Sequence, residues 1–504
     1  MPKEIKKILI ANRGEIALRI IRTVREMGIK SVAVFSDADA KMPYVKWADE
    51  AIHIGDSVAS SSYLVIDKII EAAKKTGTDA IHPGYGFLSE NPDFAQRVVD
   101  EGMIFIGPSP DAINTMGNKL LAKELAKKHD IPLVPGTEKP ITDVNDAKNI
   151  AEGIGFPILI KAASGGGGKG MRVVNGLEEF ESQMERAMSE AKASFGDERV
   201  FIEKYVAAPR HIEFQILADN HGNTIHLFER ECSIQRRHQK VIEEAPSVVL
   251  NEELRKEMGD CSIRIAKACN YSGAGTVEFL LDEDGKFYFL EMNTRLQVEH
   301  PVTECITGID LVREMIYISM DRQLEIKQSD LEIHGHAIEL RVNAEDPLND
   351  FLPASGPLTR YSVPKGPGVR VDDGFEKGLE VSMFYDSMIA KLIVHAEDRT
   401  AAMDRMSRAI DEYELEGIET TLPFGKWLMN NKDFRKGNID TNFIAKRFEK
   451  DYGQILSQDE ERMAALAVFL SSNSIKENKS QRSVQNGQSN WKLNRKKDLQ
   501  STIL

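Results

Sequence analysis

The stretch Glu291-Met-Asn-Thr-Arg-Leu-Gln-Val-Glu-His300 alternates between polar and mostly apolar residues. In an extended strand, successive side chains point to opposite faces of the sheet. The stretch is therefore predicted to be a strand with one face made of charged and amide side chains. That face would carry Glu291, Asn293, Arg295, Gln297 and Glu299. A solvated edge strand can show the same pattern, so the preceding segment must decide between the two interpretations.

The preceding segment predicts a partner strand. Two apolar runs, 276–281 and 286–290, are joined by Asp282-Glu-Asp-Gly285, which is typical of a β-hairpin. A turn centred on 283–285 places Glu278 opposite or next to Glu291. Facing carboxylates repel each other, and a divalent cation between them would remove the repulsion. With Asn293 they form an all-oxygen set, which favours Mg²⁺ or Mn²⁺ that shares its coordination with nucleotide phosphates.

Length and composition narrow the class of protein. At 504 residues the chain exceeds the size of one hydrophobic core, so we expect three or four domains. A net charge of −14 argues against nucleic-acid binding, which needs basic surfaces. The sequence has neither a run of about 18 apolar residues nor a secretory signal, so we expect no membrane span and a cytoplasmic location. The four cysteines form no C-x-x-C pair, which favours a reduced protein without structural zinc.

Residues 1–116 alternate between short apolar runs and amphipathic segments. Strands are predicted at 8–11, 31–35 and 80–82, and a helix at 15–27. This alternation favours a doubly wound, mostly parallel sheet with ligand contacts from loops at the carboxyl ends of its strands. His82-Pro-Gly-Tyr-Gly-Phe-Leu-Ser-Glu-Asn91 would be such a loop, although a plain connecting turn looks the same. Asn12-Arg-Gly14 lacks the further glycines of the dinucleotide fingerprint, so we reject an NAD site.

Four consecutive glycines, 165–168, follow a predicted strand at 156–161 and precede a helix around 178–194 and a strand at 200–205. Such glycines leave backbone amides free to wrap around anionic oxygens. A Walker A loop is excluded because Gly170, rather than Ser or Thr, follows Lys169. With Lys161 and Arg172 nearby, we expect a mobile lid over phosphates, the alternative being a flexible linker. Four cationic or titratable side chains within 236–240 favour a wall that binds a polyanion, the alternative being an exposed basic stretch.

The last third of the chain looks like a separate α/β unit followed by a tail. A strand is predicted at 334–342 and a helix at 398–413, and a short helix at 459–470 leads into a polar segment. Residues 471–504 hold seven Lys or Arg against two Asp or Glu. This tail is predicted to be disordered when free. We expect it to dock on a partner protein through Trp491, the alternative being a solvated appendage.

Taken together, these motifs closely resemble the biotin carboxylase members of the ATP-grasp superfamily. The matching stretches are 10–17, 82–91, the glycine run, 229–246 and 291–303, within a resemblance that covers about 3–447. The resemblance implies an N-terminal α/β domain at 1–116 and an ATP-grasp core with a mobile lid. It places the core at 117–333, the lid at about 136–208, the C-terminal α/β biotin carboxylase domain at 334–447, and a helical segment and basic tail at 448–504.

The resemblance also implies roles for individual residues. The ATP contacts would be Lys119, Lys161, Gly167, Gly168, Glu203, Lys204, Tyr205, Val206, His211, Gln235 and His238, with Glu278 and Glu291. The metal ligands would be Glu278, Glu291 and Asn293. The bicarbonate pocket would be Lys240, Arg295, Gln297 and Val298. The catalytic set would be Arg295, Lys240, Arg341 and the general base Glu299. Biotin would meet Tyr85, Gly86 and Arg341.

The activity that this implies is ATP- and bicarbonate-dependent carboxylation of biotin through carboxyphosphate. No Ala-Met-Lys-Met biotinylation signal occurs in the sequence, so biotin would be carried on a separate carrier protein. We expect a homodimer that works with that carrier and with the carboxyltransferase of an acetyl-CoA or propionyl-CoA carboxylase. The alternatives are the biotin carboxylase chain of a two-subunit pyruvate carboxylase and, less favoured, another ATP-grasp ligase. Two stretches depart from the family pattern: the lid, which lacks an additional glycine and an arginine, and 381–388, which lacks the usual prolines.

Overall fold

The computed structural model describes residues 4–137, 139–163, 171–237 and 239–448, together with 462, 463, 465, 466 and 469. The chain divides into two compact units, Met1–Ala445 and Lys446–Leu504. In the second unit, the five described residues from 462 to 469 are helical, within the helix predicted at 459–470. The predicted disordered tail and its proposed anchor Trp491 lie outside the described residues. Over the part of the chain that is described, no helix combines the length and apolarity needed to cross a membrane.

The first unit begins with a parallel five-stranded sheet in the order β3-β2-β1-β4-β5, which confirms the predicted doubly wound domain. Its buried core includes Leu9, Val32 and Ile81 from the strands and Ile70 and Phe94 from the helices. The strands are β1 Lys7–Ile10, β2 Lys30–Ser36, β3 Glu50–Gly55, β4 Ala80–His82 and β5 Ile104–Phe105. The helices are α1 Gly14–Glu26, α2 Pro43–Trp47, α3 Ile66–Thr76, α4 Pro92–Asp100, α5 Pro110–Gly117 and α6 Lys119–Lys128.

The predicted lid contains a small antiparallel sheet in the order β7-β6-β8. Phe180 and Met184 pack against Ile158 and Ile160 to form its core. The elements are α7 Val144–Ile154, β6 Ile158–Ala162, β7 Arg172–Val174, α8 Leu177–Phe195 and β8 Val200–Lys204. The four glycines fall between β6 and β7, within 164–170, and so lie outside the described residues.

An eight-stranded antiparallel sheet in the order β13-β12-β9-β10-β11-β14-β21-β19 forms the centre of the unit. Its strands are β9 Arg210–Ala218, β10 Thr224–Arg236, β11 Gln239–Ala245, β12 Gly273–Leu281, β13 Phe287–Asn293, β14 His336–Asn343, β19 Val369–Asp373 and β21 Met388–Ala396. Short pairs are β15 Glu345–Asp346 with β16 Leu352–Pro353, β17 Gly356–Pro357 with β20 Glu380–Val381, and β18 Arg360–Ser362 with β22 Glu414–Glu416. The helices are α9 Glu252–Ala268, α10 His300–Thr307, α11 Leu311–Ser319, α12 Arg399–Glu412, α13 Leu422–Asn430 and α14 Lys432–Arg435.

The central sheet continues across residue 333 into the segment predicted to be the C-terminal domain. Strand β14 pairs with β11 on one side and with β21 on the other, so the segment from 334 onward continues the sheet that 210–293 begins. Ile242 faces Leu340 across the junction, and both side chains are buried. Strand patterns in the sequence identify the strands but not which strands share a ladder.

The prediction that 291–300 forms a single strand is wrong beyond Asn293. Strand β13 ends at Asn293, residues 294–299 form a loop, and α10 begins at His300 with Pro301 in its first turn, a favourable position for proline. The amide of Thr294 donates to Glu90 Oε1 at 3.2 Å, so this backbone group is satisfied by the N-terminal domain and not by a neighbouring strand.

Candidate active site

Two buried or half-buried glutamates face each other at the end of the central sheet. Glu278 on β12 pairs directly with Glu291 on β13, which confirms the predicted hairpin, and a bulge that the sequence did not predict follows Glu278. Burial and the neighbouring charge of Glu278 raise the pKa of Glu291 above its ordinary value. The hairpin therefore holds like charges close together at a cost that a cation would offset.

Glu278 is the centre of a polar network. Its Oε1 accepts hydrogen bonds from Asn293 Nδ2 and Gln297 Nε2, both at 2.8 Å, and from Lys240 Nζ at 3.0 Å. Its Oε2 lies 3.0 Å from His211 Nε2. Burial would raise the pKa of Glu278, but Lys240 and His211 hold that pKa well below its ordinary value. Glu278 is therefore an ionised carboxylate.

Glu299 lies between two cations. Its Oε1 accepts from Lys240 Nζ at 2.6 Å, and its Oε2 accepts from Arg341 Nη2 at 3.0 Å. Burial opposes ionisation, yet Lys240 and Arg341 hold the pKa of Glu299 well below its ordinary value. Arg341 also donates through Nε to Glu243 Oε1 at 2.6 Å. Although β13 ends early, the loop still brings Glu299 to the carboxylates of the hairpin through their shared contact with Lys240.

The other residues of the predicted bicarbonate pocket lie on the same loop. Arg295 donates through Nε to Glu90 Oε2 at 2.7 Å and through Nη2 to Asn293 Oδ1 at 3.2 Å. Gln297 is buried and bonds Glu278, while the carbonyl of Val298 accepts a hydrogen bond from Lys391 Nζ at 2.9 Å. The structure therefore brings Lys240, Arg295, Gln297 and Val298 to one site.

Four of the predicted nucleotide contacts lie on strands of the lid and of the central sheet: Lys161 on β6, Glu203 on β8, His211 on β9 and Gln235 on β10. Glu203 on β8 accepts hydrogen bonds from Lys161 and Lys123, and these cations hold its pKa below the ordinary value although burial would raise it. His211 Nδ1 and Gln235 Nε2 lie 2.9 Å apart.

The remaining predicted nucleotide contacts are more scattered. The ammonium of Lys204 is bound to the carbonyls of Gly155 and Phe156, both at 3.0 Å. Lys119 begins α6, and Tyr205 and Val206 follow β8. Gly167, Gly168 and His238 lie outside the described residues.

Two of the three predicted biotin residues, Tyr85 and Gly86, sit on the loop after β4, and the third, Arg341, lies on β14. Tyr85 is half-buried, its ring centroid lies 5.9 Å from Lys391 Nζ, and its hydroxyl has no hydrogen-bond partner among the described residues. Gly86 is exposed and has a φ of 67°. Asn12 holds this loop by donating to the carbonyls of Pro83 and Tyr85 at 2.7 and 2.8 Å.

Several residues of the network were missed from the sequence. Arg230 is buried and donates to Glu213 and Gln297, while Glu213 also accepts from Lys240. Because His211, Glu213 and Gln215 alternate along β9, their shared face could have been recognised as polar. Nothing local marks Arg230 as their partner.

The donor set fits a divalent cation bound with nucleotide phosphates. Glu278 is ionised, Glu291 is close to it, and oxygen atoms dominate the set. Ligand atoms of His211, Glu213 and Glu278 also lie within 4.8 Å of one another. Asn293 could join as a ligand only through Oδ1, which here accepts from Arg295.

Comparisons with known proteins match three parts of the chain to family models. The family model Biotin carboxylase, N-terminal domain, matches residues 4–113. Carbamoyl-phosphate synthase L chain, ATP binding domain, matches 118–327, and Biotin carboxylase C-terminal domain matches 339–446. These matches define an ATP-dependent ligase. Within that class, the chain belongs to the biotin carboxylase family.

Relatives of this chain are named as parts of different carboxylases. A pyruvate carboxylase subunit of Methanothermobacter thermautotrophicus is 50% identical over 473 residues, which are 93% of this chain and 96% of that protein. The mitochondrial propionyl-CoA carboxylase alpha chain of Homo sapiens is 50% identical over 93% of this chain, which spans only 65% of that protein. A crystal structure of the Hydrogenobacter thermophilus 2-oxoglutarate carboxylase biotin carboxylase domain dimer, with MgADP, ADP and bicarbonate, is 47% identical. It has a TM-score of 0.82 and covers 88% of this chain and 98% of that chain.

Proposed function

We propose that this chain uses ATP and bicarbonate to carboxylate biotin carried on a separate protein. The observation that carries the proposal is the position of Glu299, whose two carboxylate oxygens are held by Lys240 and Arg341. Lys240 simultaneously contacts Glu278 of the carboxylate hairpin at 3.0 Å. The ammonium group of Lys240 therefore contacts both the proposed base, Glu299, and the carboxylate hairpin that would hold the metal nucleotide. The same group is a cation that can bind an anionic substrate.

The first step would deprotonate bicarbonate. Glu299 is ionised and can accept the proton, while Lys240 and Arg295 stabilise the doubly charged product. The pairing with Lys240 makes Glu299 a weak base in the substrate-free site. When bicarbonate takes over part of the interaction with Lys240, the basicity of Glu299 rises, so the base is strengthened by the binding of its own substrate.

The second step would be phosphoryl transfer. An oxygen of the deprotonated bicarbonate bonds to the γ-phosphorus of ATP, and the bond from that phosphorus to the β–γ bridging oxygen breaks, releasing ADP and carboxyphosphate. Mg²⁺, or Mn²⁺, would supply neutralisation of charge on the phosphates, held by Glu278 and Glu291 with Asn293. Lys161 and the lid would exclude water that otherwise destroys carboxyphosphate.

The last step would carboxylate biotin. Carboxyphosphate breaks down to CO₂ and phosphate, the phosphate takes the N1 proton of biotin, and N1 bonds to CO₂. Arg341 would stabilise the negative charge that develops on the ureido oxygen during this transfer. Tyr85 and Gly86 would border the same ring from the N-terminal domain.

The final acceptor would be set by a carboxyltransferase. We propose an acetyl-CoA or propionyl-CoA carboxylase, in which this chain forms a homodimer and works with carrier and carboxyltransferase subunits. The relative that is 50% identical and named as part of a pyruvate carboxylase supports pyruvate as the second candidate. Reconstitution with purified carrier and each type of carboxyltransferase, followed by product analysis, distinguishes the two.

The primary test is bicarbonate-dependent ATP cleavage by the purified full chain. ADP release should require bicarbonate, and labelled bicarbonate should be incorporated into free biotin. ATP cleavage that is indifferent to bicarbonate, or cleavage without any labelled biotin, would instead favour another ATP-grasp ligase.

A further inference from the structure

Lys391 is a fully buried lysine that none of the roles above uses. It lies on β21 among apolar residues, and its side chain is 0% exposed. Its Nζ donates to the carbonyl of Val298 at 2.9 Å and lies 3.4 Å from Glu15 Oε2 on α1. A buried ammonium group is costly unless it is paired and hydrogen-bonded, so the position needs an explanation.

The contact of Lys391 is with the peptide group that precedes the proposed base. The carbonyl of Val298 and the N–H of Glu299 belong to one planar unit, so a hydrogen bond to that carbonyl fixes where the Glu299 main chain begins. Glu299 is also the residue from which α10 starts. Lys391 therefore holds the backbone of a residue whose side chain is held by Lys240 and Arg341.

The strand register places two cations side by side around Glu299. Lys391 on β21 pairs directly with Arg341 on β14, an arrangement that normally destabilises a sheet. Here the two cations bind different groups of the same segment, because Arg341 contacts the Glu299 carboxylate and Lys391 contacts the carbonyl of Val298. On its other side Lys391 pairs with Asp372 of β19, whose carboxylate lies 3.9 Å from Nζ.

Lys391 also connects the loop 294–299 to the N-terminal domain. Glu15 lies near the start of α1, and the Tyr85 ring lies 5.9 Å from Nζ. One side chain thus contacts the backbone beside the base, the first helix of the N-terminal domain and the residue expected to border biotin.

We propose that Lys391 is a positioning residue that sets the backbone of Glu299 for the deprotonation of bicarbonate. The inference rests on the proposed function. Because Lys391 contacts none of the proposed nucleotide-binding residues that the structure describes, its loss affects the use of bicarbonate and leaves the binding of ATP unchanged. A displaced base costs rate steeply, on the order of 100-fold for a shift of about 1 Å.

The test compares Lys391→Met with the control Lys426→Met, which removes a partly exposed lysine, in the full chain. Lys426 on α13 bonds Ser407 and Asp411, outside the site. We expect kcat/KM for bicarbonate to fall on the order of 100-fold in Lys391→Met, with KM for ATP unchanged and the control equal to wild type. A wild-type kcat/KM for bicarbonate in Lys391→Met would overturn the inference. A KM for ATP that changes by the same factor as kcat/KM for bicarbonate would also overturn it.

Two further measures keep the outcome decisive. Lys391→Met could fail to fold because it removes the cation beside Glu15. In that case the double variant Lys391→Met with Glu15→Gln, which also removes the Glu15 charge, replaces the single variant in the assay. Wild-type chain that cleaves ATP without regard to bicarbonate overturns the proposed function and the inference together. Bicarbonate-dependent wild type with an unimpaired Lys391 variant overturns the inference alone.

Discussion

Arg230 Nη2 donates a hydrogen bond to Gln297 Oε1 at 2.6 Å, joining the middle of β10 to the loop that carries Arg295 and Glu299. The guanidinium is buried and also bonds Glu213 and Thr276. Because Gln297 uses its other end to donate to Glu278, the bond transmits the position of β10 to the carboxylate hairpin. The buried ion pair of Arg230 and Glu213 thus supports the site without being one of the groups proposed to contact substrates.

Removal of that guanidinium should be destabilising. Arg230→Met leaves Glu213 buried with fewer partners, and breaking a buried ion pair typically costs about 3 to 5 kcal/mol. Urea unfolding should show a loss of that size in the free energy of unfolding. Arg360→Met is the control, because Arg360 pairs with Glu414 on the surface and should change stability by less than about 1 kcal/mol. Equal losses in both variants would show that Arg230 is not a structural centre.

The carboxylate hairpin predicts opposite effects on stability and turnover. Glu291→Gln removes one of two facing carboxylates, so the metal-free protein should be at least as stable as wild type. Turnover with Mg²⁺ and ATP should fall on the order of 100-fold or more, because a neutral amide cannot balance a divalent cation. Thermal stabilisation by MgATP should fall as well. Glu283→Gln, at the exposed turn of the same hairpin, should match wild type, and near-normal ATPase activity in Glu291→Gln would contradict the assignment.

Glu299 and Arg341 should separate the two half-reactions. Glu299→Gln should remove both bicarbonate-dependent ATP cleavage and biotin carboxylation, because deprotonation comes first. Arg341→Ala should reduce carboxylation of free biotin more than ATP cleavage, because its proposed role follows the formation of carboxyphosphate. Parallel assays of ADP release and labelled biotin decide the matter, and equal loss of both activities in Arg341→Ala would place the role of Arg341 before carboxyphosphate is formed, where it contacts Glu299.

Glu15 should make stability depend on pH. Burial, opposed by Lys391, raises the pKa of Glu15 from about 4.5 to about 7. The folded state therefore binds more protons than the unfolded state between those values, and stability falls as pH rises through that window. The shift corresponds to about 3 kcal/mol. Glu15→Gln stays neutral, so its stability relative to wild type should increase from pH 4.5 to pH 7. Glu253→Gln, on the exposed surface of α9, should show no such trend.

Local patterns were sufficient for the hairpin and insufficient for its surroundings. The turn between the two strands predicts Glu278 opposite or next to Glu291, and the bulge after Glu278, which the sequence did not indicate, makes the pairing direct. The end of β13 could not, because it depends on Glu90, which is about 200 positions away in the chain and takes the Thr294 amide. Residue alternation alone therefore overestimated the strand.

The sequence also did not predict which buried charged side chains support the site. Lys391 appears in the sequence as a single charge within an apolar strand, and Arg230 stands between Glu229 and Glu231, so neither pattern shows which distant groups the side chain contacts. Only the strand order shows that both are buried beside carboxylates from distant elements. The resemblance to the biotin carboxylase family named the residues expected to meet substrates, and these two do not belong to that set.

The continuity of the central sheet limits how this chain can be divided or recombined. A cut between residues 333 and 334 would separate β11 from β14 and leave each with an unpaired row of backbone groups, a feature that promotes aggregation. Arg341 would also lose Glu299, its partner across the cut. The segment that follows residue 333 is therefore not an exchangeable cassette, and a chimaera with another carboxylase must carry β11 and β14 from one parent.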